Sequence, residues 1–307
     1  MINRLLIRIK TIQLVYACLQ SHEQALYVDE QLMASLEASQ KLYNYLLALI
    51  VKVTDHRASQ LEAAKGKYFA TEEELHPNTR LADNRIAALI REHSEVIDYC
   101  EKQHLTSDFD TELYRSILEQ LEQSALYQQY MTQAEEPTFE QDRELWIEVL
   151  NNIVPQNEHL DEVLEERDIY WNDDLTTVLQ SVIRTVKGLK PNTEMIPTAK
   201  TFTKEADRQF ALNLFHHCLE DYHDNVKLIN KVAPNWEAER MALMDKVIMS
   251  CALSEIKHFT DIAVAISINE YIELAKHYCS ANSARFINGI LDRIVKTWRE
   301  EKVIIKV

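Results

Sequence analysis

Four Glu-x-x-His pairs, Glu73/His76, Glu101/His104, Glu220/His223 and Glu255/His258, are the spacings in this chain of 307 residues that point most directly to chemistry. A carboxylate and an imidazole one helical turn apart share a face, and two such pairs with two further Glu residues can hold a di-iron centre inside a helical bundle. That site needs the pairs on core faces. Glu220-Asp221-Tyr222-His223-Asp224 reads instead as a wet face and Glu73/His76 as loop, so the pairs are expected to be solvated, because a buried unpaired carboxylate is costly. His216 and His217 beside Cys218 likewise read as helix surface. With no HExxH, no serine elbow and no Cys/His spacing that nominates a nucleophile, the sequence offers no catalytic or metal-ligating residue, and no cofactor is expected.

The elements that would carry any site are helices. Three glycines (Gly66, Gly188, Gly289) and six prolines are too few for the turns of a strand-rich fold, and they exclude the glycine-rich phosphate loops. Apolar residues recur at three and four residue spacings, as in Leu42, Tyr45, Leu46, Leu49, Ile50 and Val53, or Phe286, Ile287, Ile290, Leu291, Ile294 and Trp298. The expected fold class is all-α. Breaks at 65–83, 105–111, 134–139 and 188–203 divide it into about nine or ten helices of ordinary length. The last break is the expected domain boundary.

Residues 207–248 repeat residues 142–183 at a constant offset of 65, matching Leu145 to Phe210, Val149 to Leu214, Leu150 to Phe215, Leu164 to Ile229, Trp171 to Trp236 and Val182-Ile183 to Val247-Ile248. A repeated helix pair and the periodicity common to all amphipathic helices both account for this. In the opening helix Ile2, Leu5, Ile9, Ile12, Tyr16 and Leu19 share a face while Ile7 and Leu14 lie nearly opposite, so that helix should be sandwiched, with Arg4 and Arg8 as a short basic stripe on its exposed flank.

Five cysteines without a CxxC pair suit a reducing compartment. No apolar run is long enough to span a membrane, and Arg4, Arg8 and Lys10 interrupt the N-terminus where a signal peptide needs apolar residues. A cytoplasmic protein with no membrane partner is expected. Net charge is −16, and residues 101–180, with 20 acidic against 4 basic residues, hold all of it. The basic residues gather at the two ends instead: Arg4, Arg8 and Lys10, then Arg285, Arg293, Lys296, Arg299, Lys302 and Lys306. The acidic block should face away from them, either as a docking surface for a basic partner or as a solvated face.

Near the C-terminus Arg285 and Phe286 set a cation beside an aromatic, a pair suited to stacking on an unpaired base next to a phosphate, although the helical period also allows Phe286 in the core. Asn282 or Ser283 is expected to cap the last helix, and Gly289 within it to mark a close helix contact.

These residues sit in two linked motifs. Ile268-Asn269-Glu270-Tyr271-Ile272-Glu273-Leu274-Ala275-Lys276, followed by Ser283-Ala284-Arg285-Phe286-Ile287-Asn288-Gly289-Ile290-Leu291-Asp292, closely resembles the INEAIELAK and S-x-KFVNGVLD signatures of the NusB family of transcription antitermination factors. The stretch from Asp245-Lys246 to Ala252-Leu253-Ser254-Glu255-Ile256 resembles that family's preceding helix. Arg4, Arg8, Gln13 and Tyr16 resemble its opening helix, although here Leu5 and Leu6 fall among the basic residues, and Ser250 stands where the family commonly has Arg. Length and the Ile7-Arg8-Ile9-Lys10 opening are similar to the expanded NusB form found in Bacteroidetes.

The resemblance implies a NusB-like helical bundle with a large additional helical region: residues 1–20 complete the bundle of 201–307, and 21–200 form the helical, partly acidic addition. It implies that Arg4, Arg8, Gln13, Arg285 and Phe286 bind single-stranded boxA-like RNA. Tyr16 and Asp245 would lie toward NusE, the ribosomal protein with which NusB pairs. The function so implied is non-enzymatic, within the RNA polymerase antitermination complex on ribosomal RNA operons. Two alternatives stand beside it: a helical scaffold holding a basic ribosomal or polymerase component, its RNA binding vestigial, and a di-iron carboxylate protein.

Overall fold

The computed structural model describes residues 3–21, 28–92, 94–106, 110–196, 202, 204–233, 241–280 and 282–304. Among these residues there is no strand. Fifteen α-helices are present among them: α1 (Arg4–Ser21), α2 (Val28–Lys65), α3 (Glu72–Leu75), α4 (Arg85–Glu92), α5 (Ser94–Lys102), α6 (Thr111–Glu122), α7 (Ala125–Thr132) and α8 (Phe139–Glu148) come first. They are followed by α9 (Glu158–Arg167), α10 (Trp171–Gly188), α11 (Glu205–Glu220), α12 (Tyr222–Val232), α13 (Leu243–His258), α14 (Val264–Tyr278) and α15 (Ser283–Glu300). The all-α expectation holds, with more and shorter helices than the glycine and proline breaks indicate. The extra boundaries are made by polar caps: Ser124 accepts from the Tyr127 amide at the start of α7, and Asn157 accepts from the Leu160 amide at the start of α9. Among the described residues no helix is long and apolar enough to cross a membrane.

The chain divides into two compact units, a middle unit of residues 37–201 and a split unit that joins residues 2–36 to 202–307. Each has its own apolar core.

Helix α2, of which residues 37–65 belong to the middle unit, runs unbroken because no glycine or proline falls between Val28 and Lys65, and Gly66 follows its end. Its apolar face from Leu42 to Val53 is buried against the core, and Trp171 at the start of α10 lies against it, donating from Nε1 to the Ala38 carbonyl at 3.0 Å. Helix α8 ends in a π turn over Val149–Ile153 and a 3-10 turn containing Pro155, whose missing N–H stops the helix. On α9 the side chains of Glu158, Asp161, Glu162, Glu165 and Glu166 are exposed while Leu160 and Leu164 are buried, so a large part of the acidic block is solvated.

In the split unit α1 is buried on two sides, as its pattern requires: Ile7, Ile12 and Val15 are fully covered, Leu14 is buried, and the helix packs on α11 and α13. The 65-residue offset aligns one pair of helix bounds closely, while α11 shifted back covers 140–155 against 139–148 for α8. α12 shifted back by 65 covers 157–167, against 158–167 for α9, and the matched apolar residues Leu145/Phe210, Val149/Leu214, Leu150/Phe215 and Leu164/Ile229 are buried in both copies. The third helices diverge, since α13 begins two turns later than the α10 bounds require, and Trp236, the partner of Trp171, lies outside the described residues.

Candidate nucleic-acid interface

Three side chains string α1 along α14. Arg4 pairs with Asp261 at 3.6 Å just before α14 begins, Arg8 reaches Glu270 at 3.3 Å in its middle, and Gln13 Nε2 donates to Tyr278 Oη at 3.1 Å at its end. The contacts run in the same order along both helices, so the two point the same way. Helix α15 follows α14 in the chain and carries Arg285 and Phe286 in its first turn.

Arg8 departs from expectation. Instead of lying on an exposed basic stripe it is 3% exposed, and its Nε and one terminal nitrogen each donate to Glu255 at 2.8 Å. Glu255 is completely buried and also accepts from Ser267 Oγ at 2.7 Å and Tyr271 Oη at 3.4 Å. Burial opposes the charge on Arg8, but Glu255, aided by Tyr271 and Glu270, more than offsets it and holds the guanidinium above its ordinary pKa. A guanidinium so engaged cannot reach a phosphate without breaking the pair, and removing it would leave Glu255 buried without its counter-ion.

The same geometry corrects the solvated reading of the Glu255/His258 pair. Glu255 is a buried ion-pair partner, while Glu73, His76, Glu101, His104, Glu220 and His223 are exposed. Among the described residues no group of three or more His, Cys, Asp or Glu is placed to hold a metal ion.

Arg4 remains the accessible cation of α1. Its side chain is 41% exposed and its guanidinium stands 4.7 Å above the centre of the Phe210 ring. Arg285 is exposed, and Phe286 is half-buried, packed against the split unit's core with part of its ring open. Tyr16 is half-buried and its hydroxyl accepts from Gln20 Nε2 at 3.1 Å. Asp245 is nearly sealed, 9% exposed, where Ser283 Oγ donates to it at 3.2 Å. Burial, then the hydrogen bond and charge of Asp245, push the neighbouring Cys279 thiol up.

Two further expectations change. Asn282 occupies the N-cap of α15 without a side-chain cap bond, and the adjacent Ser283 hydroxyl bonds Asp245 and Ser280 instead of capping the helix. Gly289 makes no close helix contact, since the space where a Cβ would stand is open.

The sequence does not pair Glu255, Asp261, Glu270 or Phe210 with the two arginines that they hold. Glu255 had a readable signal: it is the lone charged residue between Val247 and Ile256.

An α-helical unit in which an N-terminal helix is clasped by the chain's C-terminal helices, with Arg and Phe at the start of the last one, is the setting in which the sequence comparisons fall. The sequence model of the NusB family matches residues 189–296. The chain is 40% identical over 95 residues to the transcription antitermination protein NusB of Dictyoglomus thermophilum, covering 30% of this chain and 65% of that protein. To the NusB of Symbiobacterium thermophilum it is 31% identical over 135 residues, 44% of this chain and 83% of that one. To that of Chloroherpeton thalassium it is 32% identical over 127 residues, 41% of this chain and 57% of that one. The chain belongs to the NusB family. It spans less than two thirds of the length of several of these relatives, including the first and last of the three. No solved structure matches it significantly.

Proposed function

We propose that this protein is a transcription antitermination factor that binds boxA-like single-stranded RNA together with NusE, as part of the RNA polymerase antitermination complex, with no catalytic step. Family membership carries the reading. The exposed Arg285 beside the partly open Phe286 ring supports it, since an aromatic face and an adjacent cation suit an unpaired base and its phosphate. In this reading Arg4, Gln13, Arg285 and Phe286 contact RNA, and Arg8 fixes the position of α1 from beneath. Tyr16 faces NusE, and Asp245 shapes that side of the bundle through Ser283.

Titration of boxA-like RNA with and without NusE tests it. If about three to five phosphates are neutralised, log K falls with log salt at a slope of roughly −2 to −3.5, and NusE tightens binding severalfold. Phe286→Ala weakens binding by about 1–3 kcal/mol if the ring stacks on a base. A salt slope near zero, or no gain from NusE, defeats the proposal.

A further inference from the structure

The open side of α15 carries more positive charge than those contacts use. Arg285, Lys296 and Arg299 are exposed on one side of the helix, about 16 Å and then about 4.5 Å apart along its axis. None of the three takes part in an ion pair among the described residues. Gly289 lies on the same side between Arg285 and Lys296, exposed, with open space in place of a Cβ. A glycine inside a helix is destabilising relative to alanine, and nothing in the described fold uses the room it leaves; such a position suits the close approach of a ligand backbone.

Alongside this row lies a groove of about 560 Å³ between the first turns of α14 and residues 288–300 of α15. Its floor is apolar, made by Val264, Ile268 and Val295, all buried. The amides of Asn269 and Asn288 stand at its rim with Lys296 and Arg299. Two carboxylates are also there: Asp292, to which Asn288 Nδ2 donates at 3.4 Å, and Glu300.

We infer that this groove takes one unpaired nucleotide of the same RNA strand, just outside the boxA-like segment, an inference that rests on the RNA-binding reading above. The base lies on the apolar floor, where any base offers a flat face, and the two asparagine amides meet its edge with both donors and acceptors. Lys296 and Arg299 take the flanking phosphates. The strand reaches the groove by passing Gly289, which links it to Arg285. Asp292 and Glu300 offset the charge of Lys296 and Arg299, so burial of the base on the floor, and not phosphate attraction alone, holds the nucleotide.

The test uses the full chain with NusE and two RNAs, the boxA-like segment alone and the same segment extended by oligouridine at one end or the other. The extended RNA binds more tightly from one end only. Ala265→Trp, which changes an exposed residue at the groove's edge, and the double variant Lys296→Ala with Arg299→Ala abolish that gain. Each weakens the extended RNA about tenfold, and the double variant flattens its salt slope by about 1.4. Both leave the short RNA and the melting temperature unchanged. Gly289→Ala raises the melting temperature while weakening the extended RNA, a combination that a purely structural glycine does not produce. If the short RNA binds but neither the extension nor these variants matter, the groove inference is overturned. If the unmodified protein binds neither RNA, it is the RNA-binding reading that fails.

Discussion

Both units bury carboxylates, and they seal them differently. In the middle unit the side chains of Asp110 and Asp142 are 2% and 3% exposed, yet their arginines, Arg167 and Arg85, keep 18% and 48% of theirs in water. Tyr130 Oη adds a bond to Asp142 at 2.7 Å, and Tyr114 Oη one to Asp110 at 3.3 Å. In the split unit Arg8 and Glu255 are both dry, 4% and 0% exposed. An arginine at the surface turns to solvent when its partner is lost, whereas a sealed one has nowhere to turn. The difference teaches that the family-like unit fixes α1 by a charge lock as well as by apolar packing. It removes from the surface a cation that the sequence pattern offers to RNA.

Glu255→Gln should produce the largest effect, a loss of about 3–5 kcal/mol in the split unit's stability, because the variant keeps the shape while leaving the buried Arg8 only the partly exposed Glu270 as counter-ion. Denaturant melts followed by circular dichroism check this. Asp142→Asn should cost less, about 1–3 kcal/mol: Tyr130 Oη and the Arg85 amide donate to different oxygens of Asp142, so the variant loses one of these bonds, but the half-exposed Arg85 can hydrate. Equal losses from the two variants would break the comparison.

A smaller effect concerns pH. The His217 and His258 rings stack at 3.8 Å, and His258 Nε2 meets Asp221 at 2.7 Å. Burial, then repulsion from His258, holds His217 below the ordinary imidazole pKa. The folded state thus favours the neutral ring. His217 therefore contributes nothing above the unfolded value near pH 6.5, and stability falls as pH drops below it toward the folded value. Asp221 is held below the usual carboxylate range by His258 and Lys257 against the opposing effect of burial, so its stabilisation persists through that window and is lost only at more acid pH. His217→Gln should flatten the stability slope between about pH 5 and 7; an unchanged slope would assign it to other groups.

The helical class and the last two helices were legible because scarce glycine and the three and four residue spacing leave few other readings, and because the motif residues are contiguous. What stayed hidden depends on distance or on space. Arg8 reads as an edge residue from α1 alone, and only its pairing with a carboxylate in α13 turns it inward. Gly289 reads as a packing glycine, but what surrounds it is solvent. The short helices escaped because Ser124 and Asn157 end and start helices by one hydrogen bond each, which periodicity does not register.

The Arg8–Glu255 pair spans 247 positions of chain. On a ribosome adding about 5–20 residues per second, the N-terminal helix emerges roughly 12–50 seconds before the carboxylate that neutralises it. During that interval all of residues 37–201 are made, so the middle unit has its whole sequence in hand while α1 still waits. The split unit is the last to close, and its closure requires α13. An interruption of synthesis before Glu255 leaves an arginine-bearing apolar helix without its seat, a natural target for chaperones and proteases.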